Sequence, residues 1–174
     1  MVISWIQAAM QVIALVCVVF LPQAGSFAYG EEYAVVARVV DGDSLKVRQP
    51  NRSFQIRLWG VDAPEHGQPY AGEAKSHCRR VVEGKKIILR RKYLDKYDRV
   101  VAMVWVDGML LNEELVRQGT AWVHDRYCDE GVCETWHELE QVARVRRTGL
   151  WRDDSPVAPW IWKGRQRSGR SRSD

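Results

Sequence analysis

Charged side chains are missing from the first thirty residues of this 174-residue chain, and residues 31 to 174 lack any uncharged apolar run near the roughly 20 residues that cross a bilayer. The second absence excludes a polytopic membrane protein. The first marks an export segment: Val2 to Leu21 is almost wholly apolar, Pro22 breaks it, and Ser26-Phe27-Ala28 places small residues three and one before a cut after Ala28. Because no basic residue precedes the apolar stretch, residues 2 to 21 also read as an uncleaved membrane anchor. Both readings deliver the remainder outside the cytoplasm, to the periplasm or the medium.

Histidine is scarce. His66, His77, His124 and His137 fall in no HxxxH or HExxH spacing, which argues against a zinc hydrolase. The four cysteines lack the paired spacing of a zinc ribbon. Cys17 lies in the export segment, and Cys78 fits a buried free thiol on a helix stripe. Cys128 and Cys133 bracket Asp-Glu-Gly-Val, a short polar loop that a disulfide closes in an oxidising compartment. No internal repeat is present. Net charge is also small, with 26 Lys and Arg against 22 Asp and Glu, or +4. The last twelve residues carry Lys163, Arg165, Arg167, Arg170 and Arg172 against Asp174, so the preceding chain is balanced at 21 against 21.

What is there is a folded domain's composition, 46% hydrophobic and 28% charged. Valine-rich Tyr33 to Val40, alternating Ser44 to Arg48 and Ser53 to Val61 predict a three-stranded meander. Ala74, Cys78, Val81 and Val82 predict an amphipathic helix over 71 to 82. Lys85 to Tyr93 and Val100 to Val106 predict a hairpin around the polar turn Asp95 to Asp98. Helices are expected over Asn112 to Gln118 and from about Glu134 to Arg147, with Trp136, Leu139 and Ala143 inward. That order fits an α+β, mainly β fold: a five-stranded OB-type Greek-key barrel with about three helices. Three regions are expected: a leader over 1–28, one domain over 29–153, and a Pro-, Trp-, Arg- and Ser-rich basic tail over 154–174 without fixed structure from about Lys163. Trp105, Trp122 and Trp136 fall at core-like positions, whereas Trp151, Trp160 and Trp162 flank the tail and are candidates for nucleic-acid or membrane contact.

Four segments carry chemistry: Val40-Asp41-Gly42-Asp43-Ser44; Ile56-Arg57-Leu58-Trp59-Gly60-Val61-Asp62-Ala63-Pro64-Glu65; Asp95-Lys96-Tyr97-Asp98-Arg99; and Asn112-Glu113-Glu114-Leu115-Val116-Arg117-Gln118-Gly119. Taken singly, each has a plain reading: a type I′ hairpin turn, a solvated loop acid, an arginine ending a turn. In this order, at these element boundaries, they resemble the staphylococcal nuclease (thermonuclease) family over roughly residues 33 to 151.

The chemistry is readable from residue types. Phosphodiester hydrolysis piles negative charge on phosphorus and needs an activated water, so cations and a base must converge. Asp43 and Asp62, held close, favour a hard cation with oxygen ligands. Arg57 interrupts an apolar strand and so faces away from the core; its guanidinium, like that of Arg99, matches phosphate oxygens in a two-pronged way. Glu65 follows Pro64 on a restricted corner and can act as general base. The resemblance implies Ca2+ held by Asp43, Asp62 and the backbone carbonyl of Ala63, with Asp41 nearby, and a base and two catalytic arginines at Glu65, Arg57 and Arg99. It further implies hydrolysis of DNA, RNA or both to 5'-hydroxyl and 3'-phosphate ends, by a monomer. Threonine is common in the family where this chain has Ala63; a carbonyl ligand makes that departure harmless. Lys96 and Tyr97 match nucleotide-contacting positions, and Tyr127 keeps one of two aromatic platforms, the other being Asp125 here. The alternative is a silent OB-type module that binds nucleic acid through its groove and tail. The tail is expected to add salt-sensitive attraction while leaving the chemistry untouched.

Overall fold

A computed structural model describes residues 30–170. The leader expected over 1–28 and the last four residues lie outside the described residues. The first three strands, β1 (Glu32–Asp41), β2 (Ser44–Gln49) and β3 (Arg52–Leu58), form the expected antiparallel meander. The β1–β2 turn is not of type I′, since neither Gly42 nor Asp43 has a positive φ. A single strand from Ser53 to Val61 does not form. Gly60, at φ +72°, breaks it and starts a short separate strand, β4 (Val61–Asp62).

Helix α1 (Ala71–Val82) buries Ala74, Cys78 and Val82, spaced four apart, and packs on β1. Strands β5 (Lys86–Leu94) and β6 (Val100–Val106) form the hairpin, with β5 also antiparallel to β1. Parallel pairing of β3 with β6, with Arg57 opposite Val101, closes the five long strands into a barrel. Closure bends β1, whose register slips twice against β2. Val36, Leu45, Val47, Ile56, Ile87, Leu89 and Val104 are fully buried inside. The mainly β, OB-type α+β architecture matches the sequence expectation.

A short strand β7 (Met109–Leu110) leads into helix α2 (Leu111–Arg117), and β8 (Trp122–Val123) pairs with β4. The next helix, α3 (Val132–Val145), begins two residues earlier than expected and turns Trp136 and Ala143 inward. Covered on one face by α2 and forming the barrel wall on the other, β6 is buried at six of its seven positions, hence its unbroken apolar run. Asn112 of α2 is fully buried; its side chain accepts the Val104 N–H at 3.0 Å and donates to the Trp59 carbonyl at 2.8 Å, tying α2 to the end of β3.

The C-terminal part corrects the sequence reading. After a 3-10 turn at Gly149–Arg152, residues 159–170 form a fourth helix, α4 (Pro159–Arg170), where no fixed structure was expected from Lys163 onward. The physical reason lies just ahead of the basic residues. Ala158 is buried, Trp160 packs on Trp122 (5.9 Å) and His124 (4.7 Å), and Gln68 Nε2 donates to the Val157 carbonyl at 2.5 Å. Those contacts order the start of α4 against the body. Trp151 is buried edge-on against Trp122 at 4.3 Å, so it is a core residue and is not free to meet nucleic acid or membrane. Among the described residues, no helix is long and apolar enough to cross a membrane.

Candidate active site

Barrel closure brings the β1–β2 turn, the end of β3, the β4 corner and the β5–β6 turn around one cleft of about 600 Å³. Arg57 lies between buried Ile56 and Leu58, and strand alternation sends its side chain to the cleft side. There it bridges the two acidic corners: Nη1 donates to Asp43 Oδ1 and Nη2 to Asp62 Oδ1. Both carboxylates are 1% exposed. Asp43 also accepts the Ala63 N–H at 2.5 Å and the Ser44 hydroxyl at 3.2 Å. Thus Ala63 meets this cluster through its N–H.

Burial pushes the Asp43 carboxyl above the ordinary range; Arg57 opposes this, and the Asp62 charge reinforces it. Asp41, at the cleft wall, is raised for the same reasons, burial first and then the Asp43 charge. For Arg57, burial disfavours the cation, but Asp43 and Asp62 outweigh it and raise its pKa further. Its charge is therefore permanent.

Glu65 lies in the same cleft on the loop after β4. Its N–H donates to Gln68 Oε1 (3.0 Å) while its carbonyl accepts the Gln68 N–H (2.8 Å), so buried Gln68 clamps the corner on which Glu65 stands. Lys163 of α4 reaches in, with Nζ 2.6 Å from Glu65 Oε1 and 3.5 Å from Asp62 Oδ1.

On the β5–β6 turn, Asp95 accepts the N–H groups of Tyr97 (2.9 Å) and Arg99 (3.0 Å) on one oxygen and the Arg99 guanidinium at 2.7 Å on the other. Burial raises the Asp95 carboxyl, but these bonds outweigh it and the net shift is downward. Lys96 and Arg99 both lie over the Tyr97 ring, at 5.0 and 5.4 Å. Tyr97 is 67% exposed and Tyr127 47%. Asp125 turns toward α3, where it pairs with His137 at 3.3 Å.

Of the residues singled out in the sequence, Asp41, Arg57, Asp62, Glu65, Lys96, Tyr97, Arg99 and Tyr127 line the cleft, and Asp43 and Ala63 lie buried behind it. Cys128 and Cys133 are joined by a disulfide with a Cα–Cα distance of 5.7 Å, outside the cleft. Sequence reasoning passed over Tyr93, His124 and Lys163, which also line it. For His124, burial lowers the pKa despite the Asp62 charge. A lysine in a basic tail and a lone histidine carry no spacing signal, so nothing in the sequence pointed to them.

The OB-type barrel and its cleft are accompanied by a clear likeness to a phosphodiester-hydrolysing class of protein. The family described as staphylococcal nuclease homologue matches residues 55–153, beginning just after the hairpin that carries Asp41 and Asp43. The chain belongs to the staphylococcal nuclease family and is a nuclease acting on nucleic acid. A protein of Escherichia coli named "Uncharacterized endonuclease" is 37% identical over 132 residues, covering 75% of this chain and 84% of that one. The "Micrococcal nuclease" of Shigella flexneri is 29% identical over 159 residues, covering 86% and 88%. The "Staphylococcal-like nuclease CAN1" of Arabidopsis thaliana is 34% identical over 118 residues, covering 68% of this chain and 36% of that longer protein.

Proposed function

We propose that the chain is an exported, calcium-dependent nuclease that cleaves DNA, RNA or both to leave 5'-hydroxyl and 3'-phosphate ends. The observation that carries this reading is the convergence of Arg57, Glu65 and Arg99 on a cleft backed by two buried carboxylates. A silent binding module has no use for a base and paired guanidinium groups around buried acids.

The residues present fit calcium. Asp43 and Asp62 are oxygen donors, buried, and turned to one point, where they share a single guanidinium. Two such charges with one permanent cation between them leave negative charge that a hard ion satisfies. Asp43, Asp62 and the backbone carbonyl of Ala63 would hold it, and bound calcium would supply positive charge beside the phosphate oxygens. Arg57 and Arg99 clamp phosphate oxygens as charge builds on them. Glu65, fixed by Gln68, takes the proton of the attacking water. Tyr97 and Tyr127 offer stacking faces and Lys96 a phosphate contact.

One chain supplies every group in this scheme, which supports a monomer. Export rests on the uncharged apolar start of the chain, cut after Ala28 or retained as an anchor. The test is digestion of defined DNA and RNA by residues 29–174. Chelator is expected to abolish cleavage and calcium to restore it, with magnesium a poor substitute because it holds its water tightly. Full activity in excess chelator overturns the calcium assignment.

A further inference from the structure

Helix α4 is joined to the cleft in a way that neither the family match, which ends at residue 153, nor the sequence motifs account for. Among the described residues of the basic tail, Lys163 lines the cleft, and its ammonium stands between Glu65 and Asp62. Two considerations separate this lysine from an ordinary surface ion pair. The first is that α4 does not need it for docking. Buried Ala158, the packing of Trp160 edge-on against Trp122 and tilted against His124, and the Gln68 bond to Val157 already hold the segment, and a partly exposed lysine pair adds little to such an anchor.

The second is charge. The cleft is lined by four cations, Arg57, Lys96, Arg99 and Lys163, against four carboxylates, Asp41, Asp62, Glu65 and Asp95. Lys163 is thus one of four side-chain cations that the lining offers to a polyanion, and without it, before any calcium binds, the acids are in excess by one. Its ammonium, 39% exposed, stands beside the base, where it can exchange a carboxylate for a phosphate oxygen. We propose that α4 contributes Lys163 to the substrate cleft and that Lys163 binds a backbone phosphate of the nucleic acid there. The proposal rests on the nuclease reading and adds a substrate-binding residue from outside the matched domain. It locates one part of the salt-sensitive attraction expected of residues 163 to 174 inside the cleft.

The test is steady-state cleavage, in calcium, of a tetranucleotide too short to reach the rest of the tail, comparing wild type, Lys163→Met, Lys163→Arg and Arg165→Gln. Arg165 is exposed on α4 and does not line the cleft. Losing one charge-assisted phosphate bond is expected to raise KM roughly tenfold in Lys163→Met. Recovery to within about threefold is expected in Lys163→Arg, which keeps the charge. No change is expected in Arg165→Gln. The slope of log KM against log salt should fall by about 0.7 in Lys163→Met alone. Thermal melting of all variants separates these effects from loss of α4, since Lys163→Arg must both melt and bind like wild type. Unchanged KM and slope in Lys163→Met, or a lower KM showing that the lysine blocks the cleft, overturns the proposal. Failure of wild type to cleave any nucleic acid instead removes the nuclease reading, and this proposal with it.

Discussion

Gly42 and Ala63 approach so closely that a Cβ on Gly42 would lie 2.6 Å from the Ala63 Cβ and 3.1 Å from that of Ala74. The first motif packs there against the second, which is how Asp43 and Asp62 come to share Arg57. Glycine is required for space and not for its backbone, because its φ is not positive. Ala63 has no flexible end to swing away. Gly42→Ala is therefore expected to lower unfolding stability by about 1–3 kcal/mol through overpacking and to move the two acidic corners apart. Denaturant unfolding and a calcium titration of activity check this; wild-type values in both would show that the contact relaxes freely.

Arg57, Arg99 and Glu65 should separate in stability while agreeing in rate. Lysine at either arginine retains charge but loses the fork, and glutamine at Glu65 removes the base, so each variant is expected to lose roughly 100-fold or more in kcat. Arg57→Lys should also melt lower, because one guanidinium now serves two buried carboxylates and a single ammonium serves them less well. Arg99 is partly exposed, with Asp95 as its partner, so Arg99→Lys should keep wild-type melting. Near-wild-type turnover in all three would overturn the assigned roles.

The parts of this site legible in the sequence were those whose local pattern already fixes their direction. Arg57 between two core residues had to face outward, and Asp-Gly-Asp and Val-Asp-Ala-Pro-Glu had to be corners. What brings them together is long-range: parallel closure of β3 on β6, and van der Waals contact between Gly42 and Ala63. No local pattern encodes either. The break at Gly60 was hidden by strand-like neighbours on both sides. Helix α4 was missed for another reason. Its charge-rich residues read as solvated, and the tryptophans that dock its start gain their partners, Trp122 and His124, from elsewhere in the chain.

Asp95 links pH to the turn that presents Arg99 and Tyr97. Its carboxyl titrates below the ordinary value of 3.8, because the Arg99 and Tyr97 bonds outweigh burial. A carboxylate depressed in the folded state contributes stability above its unfolded pKa and loses it as pH falls through the folded one. Asp95→Asn is thus expected to destabilise by about 1 kcal/mol at pH 7 and to converge with wild type as the pH drops below 3.8. A constant difference across that range in pH-dependent unfolding would show that the carboxylate charge is not what holds the turn.

The Cys128–Cys133 disulfide sits behind the Asp62 corner. A Cβ on Gly60 would lie 3.0 Å from Cys128 Sγ and 2.9 Å from the Trp136 ring, so the bond packs against the positive-φ residue that breaks β3 away from β4. The loop it closes is short, and by chain entropy the bond contributes only about 2 to 3 kcal/mol. Its greater effect is on position: Tyr127 precedes Cys128 in the chain, and Gly60 lies between Trp59 and Val61 at the cleft. Reduction, or paired replacement by alanine, is expected to raise KM before the barrel unfolds, with kcat less affected. Cys78 supplies the internal control. Buried, with its thiol pushed up to about 12 mainly by burial, it should resist alkylation in the native protein. In residues 29–174, alkylation should therefore label no thiol when native, one when denatured without reductant, and three after reduction. Two further thiols in the denatured, unreduced sample, or a mapped bond from Cys78 to either partner, would show the pairing to be mistaken.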